Sequence, residues 1–104
     1  MVAVCAPLSV IALPEISVTG VEVTPSSVYP GEQAVIYVIF QNTSPTAGIA
    51  HCELTVSAPD PSTTPFDVMV PGNTIDWRYG PIYWTPTIVG DYLICADVIS
   101  QEPA

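Results

Sequence analysis

His51 stands beside Cys52, and this adjacent pair is the nearest the chain comes to a nucleophile with its base. Nucleophilic catalysis needs the two side chains within hydrogen-bond reach. The surrounding segment, Ala50–Ala58 (AHCELTVSA), alternates polar and apolar residues and reads as a strand. Neighbouring side chains on a strand point to opposite faces, so His51 and Cys52 cannot form a dyad. His51, Glu53, Thr55 and Ser57 are expected in solvent; Cys52, Leu54 and Val56 are expected in the core. No triad spacing exists elsewhere. The ten acidic residues are scattered from Glu15 to Glu102 and form no run. Asp60, Asp67 and Asp76 fall in loops or at strand ends and could offer oxygen ligands to calcium. Nothing matches the spaced acidic loop of a calcium site, and no phosphate-cradling glycine motif is present. The expectation is a chain with no catalytic residues, no metal and no cofactor.

Two other groups of residues could do chemistry. Trp77, Tyr79, Tyr83 and Trp84 cluster in the chain. Packing is the ordinary fate of such aromatics. The alternative is a carbohydrate-stacking platform built from Trp77, Tyr79 and Tyr83. Asn42-Thr43-Ser44 is a glycosylation sequon, which matters in a secreted chain.

Charge narrows the partners. The chain carries ten acids, one arginine (Arg78), one histidine and no lysine, for a net charge of -9. Nucleic acid needs basic residues to neutralise phosphate, so DNA and RNA are excluded, and attraction to anionic lipid fails for the same reason. A protein partner, or copies of the chain, remain. The three cysteines, Cys5, Cys52 and Cys95, leave at least one thiol unpaired within the chain. Residues 1–13 (MVAVCAPLSVIAL) are apolar and uncharged. No basic region precedes the apolar run, as a signal peptide requires, so the segment is expected to belong to the mature protein. It is also too short to span a membrane, which takes about 20 apolar residues.

The elements that must position these residues are short strands. Twelve prolines in 104 residues leave no room for a long helix. Ile16–Thr24 alternates, with Gly20 placed where a bulge would re-phase it. Glu32–Asn42 and Ala50–Ala58 follow. Phe66–Val70, Thr74–Arg78, Ile82–Thr85 and Asp91–Ser100 complete the set, separated by Pro, Gly, Asn and Asp. Seven strands at this spacing predict an all-β, antiparallel two-sheet sandwich over residues 16–104, preceded by an apolar arm over residues 1–15.

The run Pro25…Tyr29-Pro30-Gly31-Glu32-Gln33, with Ala34–Phe40 and Gln41-Asn42-Thr43 after it, resembles the opening of a CARDB domain, the cell-adhesion-related family of bacteria. Val70-Pro71-Gly72-Asn73 is similar to that family's central turn. Tyr83-Trp84-Thr85-Pro86 with Gly90-Asp91-Tyr92 is similar to its closing hairpin. The resemblance covers residues 16–100 and implies an immunoglobulin-like sandwich. It also implies a strand phase in which Ala34, Ile36, Val38 and Phe40 face the core. Val35, Tyr37 and Ile39 would then face outward although apolar. In the last strand Tyr92, Ile94, Ala96 and Val98 would face in, with Leu93, Cys95 and Ile99 out. Cys52 and Cys95 would then not bridge, whereas Cys5 with Cys95 stays open.

An apolar outward face and an apolar arm call for cover, either from the arm folding back over its own sandwich or, as expected first, from a partner subunit. The interface candidates are Val2, Val4, Leu8, Val10, Val35, Tyr37, Ile39, Leu93 and Ile99. Val2, Val4, Ala6, Leu8 and Val10 alternate well enough to serve as a strand donated to a neighbour's sheet edge. The expected function is a non-catalytic structural subunit, first of a virion surface (decoration, cement or fibre). The alternative is a secreted filament, surface layer or adhesin, and after it a carbohydrate-binding module.

Overall fold

A computed structural model describes residues 3–104 of the chain. It is all-β, with strands β1 (Ile16–Thr24), β2 (Ala34–Asn42), β3 (Gly48–Val56), β4 (Ser62–Val70), β5 (Thr74–Trp84) and β6 (Ile94–Pro103). They form two antiparallel sheets of three strands, ordered β1-β2-β5 and β4-β3-β6. No helix is long and apolar enough to cross a membrane among the described residues.

The period-2 pattern produces the core. Along β2 buried and half-buried residues alternate without a break, from Ala34 to Asn42. Ile36, Val38 and Phe40 from β2 meet Ala50, Cys52 and Leu54 from β3 and Val68 and Val70 from β4. Fully burying each of the larger side chains stabilises the fold by about 1.5–3 kcal/mol. Gly20 marks a bulge: the β1–β2 register shifts between Val18 and Gly20.

The strand count is six, not seven. The segments Thr74–Arg78 and Ile82–Thr85 merge into the single strand β5. Gly80-Pro81 bends that strand without turning it, and the β2–β5 register jumps between Ile36 and Val38 there. Gly80 has φ +141°, and a Cβ on it would lie 2.8 Å from the Ile36 carbonyl oxygen. Pro81 is tolerated because β5 is an edge strand, where a missing N–H breaks no ladder. By the same rule Ser62–Pro65, expected as loop, extends the edge strand β4. The last strand starts later than Asp91 and ends at Pro103.

Both sheets run between two poles. Ile16, Asn42, Gly48 and Pro103 lie at the lower pole; Thr24, Val56 and Ile94 lie at the upper. At the lower pole the chain enters β1 through a clamp. Pro14 is buried against Gly48, where a Cβ would come within 2.5 Å of the Pro14 Cβ. The Thr43 amide donates to the Glu15 carbonyl at 3.2 Å, which continues the β1–β2 ladder by one step.

Candidate functional site: an exposed arm and an unpaired pair of edges

The arm ahead of that clamp packs against nothing. Val4 is 95% exposed, Leu8 88% and Val10 91%. The radius of gyration is 19.1 Å, against about 13 Å for a compact chain of this length. The long axis reaches 80 Å, of which extended residues 3–13 account for about 36 Å. The arm therefore projects from the lower pole, unpaired with either sheet. Val2 lies outside the described residues.

Asn42 builds the clamp's interior. It sits at an inward position of β2 and is 1% exposed. Its Oδ1 accepts from the Glu15 amide at 3.2 Å and the Ser44 amide at 3.1 Å. Its Nδ2 donates to the Thr46 carbonyl at 2.9 Å and the Val70 carbonyl at 3.4 Å. One side chain thus ties the arm's exit, the β2–β3 loop and the end of β4. The sequon nitrogen is buried and fully used, so it carries no glycan in the folded chain. Gln101 adds a second tie: its Oε1 accepts from the Ile16 amide at 2.7 Å and its Nε2 donates to the Ile16 carbonyl at 3.3 Å.

The two open sides of the sandwich differ. Between β4 and β5, Phe66 stacks on Tyr79 with centroids 5.0 Å apart and planes 12° apart. Between β1 and β6 no aromatic stack stands; these two strands approach one another more closely than β4 and β5 do, Gln101 bridges them at Ile16, and no strand pairs with the outer edge of either among the described residues. The inward side chains there, Val18, Val21 and Val23 on β1 with Ile94, Ala96 and Val98 on β6, are only half-buried. Two hollows lie along this seam, one lined by Ile16, Val18, Ala96 and Gln101 toward the lower pole and one by Val21, Val23, Trp84, Tyr92 and Ile94 toward the upper.

The remaining interface candidates are placed as follows. Val35, Tyr37 and Ile39 lie on the outer face of β2, half-buried. Arg78, the one arginine, lies 4.4 Å above the centre of the Tyr37 ring and pairs with Glu22 at 2.6 Å. Part of that apolar face is thus covered by its own sheet. Leu93 and Ile99 are exposed. The three aromatics do not share one face. Trp77 and Tyr79 register with the inward Phe40 and Val38, and Tyr83 with the outward Val35.

His51 and Cys52 occupy opposite faces. Burial, then the Asp67 and Asp97 carboxylates, push the Cys52 thiol up to about 11, so it stays protonated. Cys5 and Cys95 are exposed, and all three thiols are free. His51 is held by carboxylates at both ring nitrogens, Nδ1 to Asp67 at 2.8 Å and Nε2 to Glu102 at 3.1 Å. This cross-strand link of β4, β3 and β6 engages Asp67, one of the three acids considered for calcium. Two carboxylate partners require two N–H donors, which is the imidazolium. The hydrogen bonds to Asp67 and then Glu102 raise the His51 pKa above its ordinary 6.5. A raised folded pKa means that the link's stabilisation is full below pH 6.5 and is lost as pH rises through the folded value. An NMR titration of the single imidazole should show a midpoint above 6.5, moving back toward it in Asp67→Asn. A midpoint at or below 6.5 would mean the link does not form in solution.

The described residues thus define a two-sheet β-sandwich with a projecting apolar arm and unpaired outer edges on β1 and β6. Comparison with family models, with curated proteins and with solved structures finds no match.

Proposed function

We propose that this chain is a non-catalytic structural subunit, of fibre type, that joins to copies of itself through its N-terminal arm. The observation that carries this reading is the arm: an uncharged apolar strand held out from one pole by Pro14 and Asn42, with its side chains in water. Apolar surface of this kind marks a contact site. The separation of His51 from Cys52 also supports a non-catalytic role.

The fold we assign is an immunoglobulin-like sandwich, supported by the two-sheet order and the CARDB resemblance. In such sandwiches a further strand stands beside the one to which we match β6. The setting we assign is an outer surface, first that of a virion and alternatively that of an extracellular filament or surface layer. The absence of lysine and the Ser-, Thr- and Pro-rich loops accord with either.

Sedimentation velocity of the full chain at roughly 100 μM, a concentration that populates contacts with Kd well below 1 mM, should show a ladder of oligomers. Negative-stain images should show thin rods. A single monomer peak across that range would refute self-assembly.

A further inference from the structure

We infer that the acceptor for the arm is the groove between β1 and β6 of a second copy, where residues 4–12 seat as a strand antiparallel to β6. This inference rests on the reading above, that copies join through the arm.

The groove is lined by core residues that are not fully covered. Inward residues are buried along β2 and β3 but only half-buried along β1 beyond Ile16 and along β6. An added strand would bury both rows together. On the opposite side the inward Phe66, Tyr79 and Ile82 are half-buried too, and there the Phe66–Tyr79 stack stands between the strands.

Direction follows from the clamp. The arm leaves at the lower pole, below Glu15, which still continues the β1–β2 ladder. To reach its own groove it would have to reverse at Pro14–Glu15, where Pro14 is buried against Gly48 and Glu15 is still in the ladder. A copy stacked below in the same orientation presents its groove's upper end to the arm. The arm then runs parallel to that copy's β1. It lies antiparallel to β6, which descends from Ile94 beside Val56 to Pro103 beside Gly48.

Parity follows from Pro7. The even residues Val4, Ala6, Leu8, Val10 and Ala12 are all apolar; the odd set includes Pro7 and Ser9. The Ser57 amide donates to the Leu93 carbonyl at 3.0 Å, so the backbone groups of Leu93 point toward β3. Alternation then turns those of Ile94 and Ala96 outward, to the free edge. In an antiparallel pair, residues directly opposite share a face, and in every second pair, where the backbone groups point at one another, they exchange both hydrogen bonds. An arm with its even residues inward therefore bonds β6 through those even residues. Pro7, which has no N–H, then faces away from β6 and breaks no bond. The opposite parity would drive the Pro7 ring into the core and leave a gap in the ladder. Size sets the register: Leu8 belongs over Ala96, the smallest inward side chain of β6, which puts Val10 by Ile94 and Ala6 by Val98. Charge agrees, since the arm has none and the acidic seam, with Asp97 on its wall, has no cation to welcome an acidic strand.

Two variants separate donor from acceptor. Leu8→Asp spoils the arm and leaves the groove; Ala96→Trp fills the groove and leaves the arm. In sedimentation velocity each alone should be monomeric, with self-association weakened at least about 100-fold, the loss expected when a charge is buried unpaired at a contact. An equimolar mixture should stop at a heterodimer, with one intact arm in one intact groove. A folded Ala96→Trp that assembles like the parent, beside a monomeric Leu8→Asp, would overturn the groove while leaving arm-mediated assembly standing. A parent chain that stays monomeric would overturn both. Should Ala96→Trp fail to fold, oxidation of Leu8→Cys/Ala96→Cys in a Cys5→Ser/Cys95→Ser background decides the matter. Hydrogen-bonded partners stand about 5.5 Å apart at Cα, within disulfide reach. Intersubunit disulfides should form there and not in the Leu8→Cys/Met69→Cys control; equal yields in both would overturn the register and the groove.

Discussion

Deleting residues 2–13 should leave a folded sandwich that no longer joins to its copies. The described part of the arm adds nothing to the core, since Val4, Leu8, Val10, Ile11 and Leu13 are all exposed. Its loss should therefore shift the unfolding free energy by no more than about 0.5 kcal/mol, as for surface changes remote from packing. Assembly should respond very differently. Docking would bury Val4, Leu8 and Val10, each worth about 1.5–3 kcal/mol when fully removed from water. Even after ordering costs, losing them should weaken association by more than about 100-fold, or about 2.7 kcal/mol. Circular dichroism with sedimentation velocity reads both quantities on one sample. A truncated chain that assembles as the parent does would show that the arm is no attachment device. One that cannot fold would make the segment an ordinary part of the sandwich.

Asn42→Ala should give the largest loss of stability among single polar substitutions. The side chain makes four hydrogen bonds in a site it shares with no solvent. Its removal orphans the Glu15 and Ser44 amides and two carbonyls at the lower pole. Each buried group left unpaired costs about 1–3 kcal/mol. Some of them will find water, so a net loss of about 3 kcal/mol is expected. For a domain of this size that corresponds to a fall of about 15 °C in Tm. Thr43→Ala is the control: its hydroxyl donates to the Glu15 carboxylate at 2.7 Å, but in the open, and its loss should cost about 0.5 kcal/mol or less. Equal effects from the two would show that the buried network does not carry the clamp.

How far the fold is legible in the chain depends on the range of the signal. Strand β2 announces itself, because Ala34, Ile36, Val38 and Phe40 alternate with their neighbours over nine residues. Gly20 announces its bulge for the same reason: it breaks a period that is otherwise regular. Asn42 is a polar residue that continues the inward parity of Ala34–Phe40. That is the signal of a buried hydrogen-bond hub, and a sequon reading passes over it. Gly80-Pro81 misleads, since the pair is turn chemistry in isolation and becomes a bulge only beside Ile36 and Val38. The ties made by Gln101 to Ile16, and by Glu102 and Asp67 to His51, span 16 to 85 residues of chain. No local pattern encodes them. The seam between β1 and β6, with its unpaired strand edges, is likewise a property of topology, visible only once both sheets are assembled.

The place where the arm departs has a mechanical consequence. The arm leaves below Glu15, which still continues the β1–β2 ladder, and arm and sandwich together measure 80 × 21 × 15 Å. In a series of copies joined end to end, tension on the fibre reaches each joint lengthwise along the inserted strand. Ladder bonds lie perpendicular to the strands they connect. A lengthwise pull therefore strains all of them together in shear, and none can fail before the rest. A sideways pull would peel the same bonds one at a time, at far lower force. In such a series Asn42 and the Pro14–Gly48 contact would stand where that tension passes from the arm into the body of its own subunit.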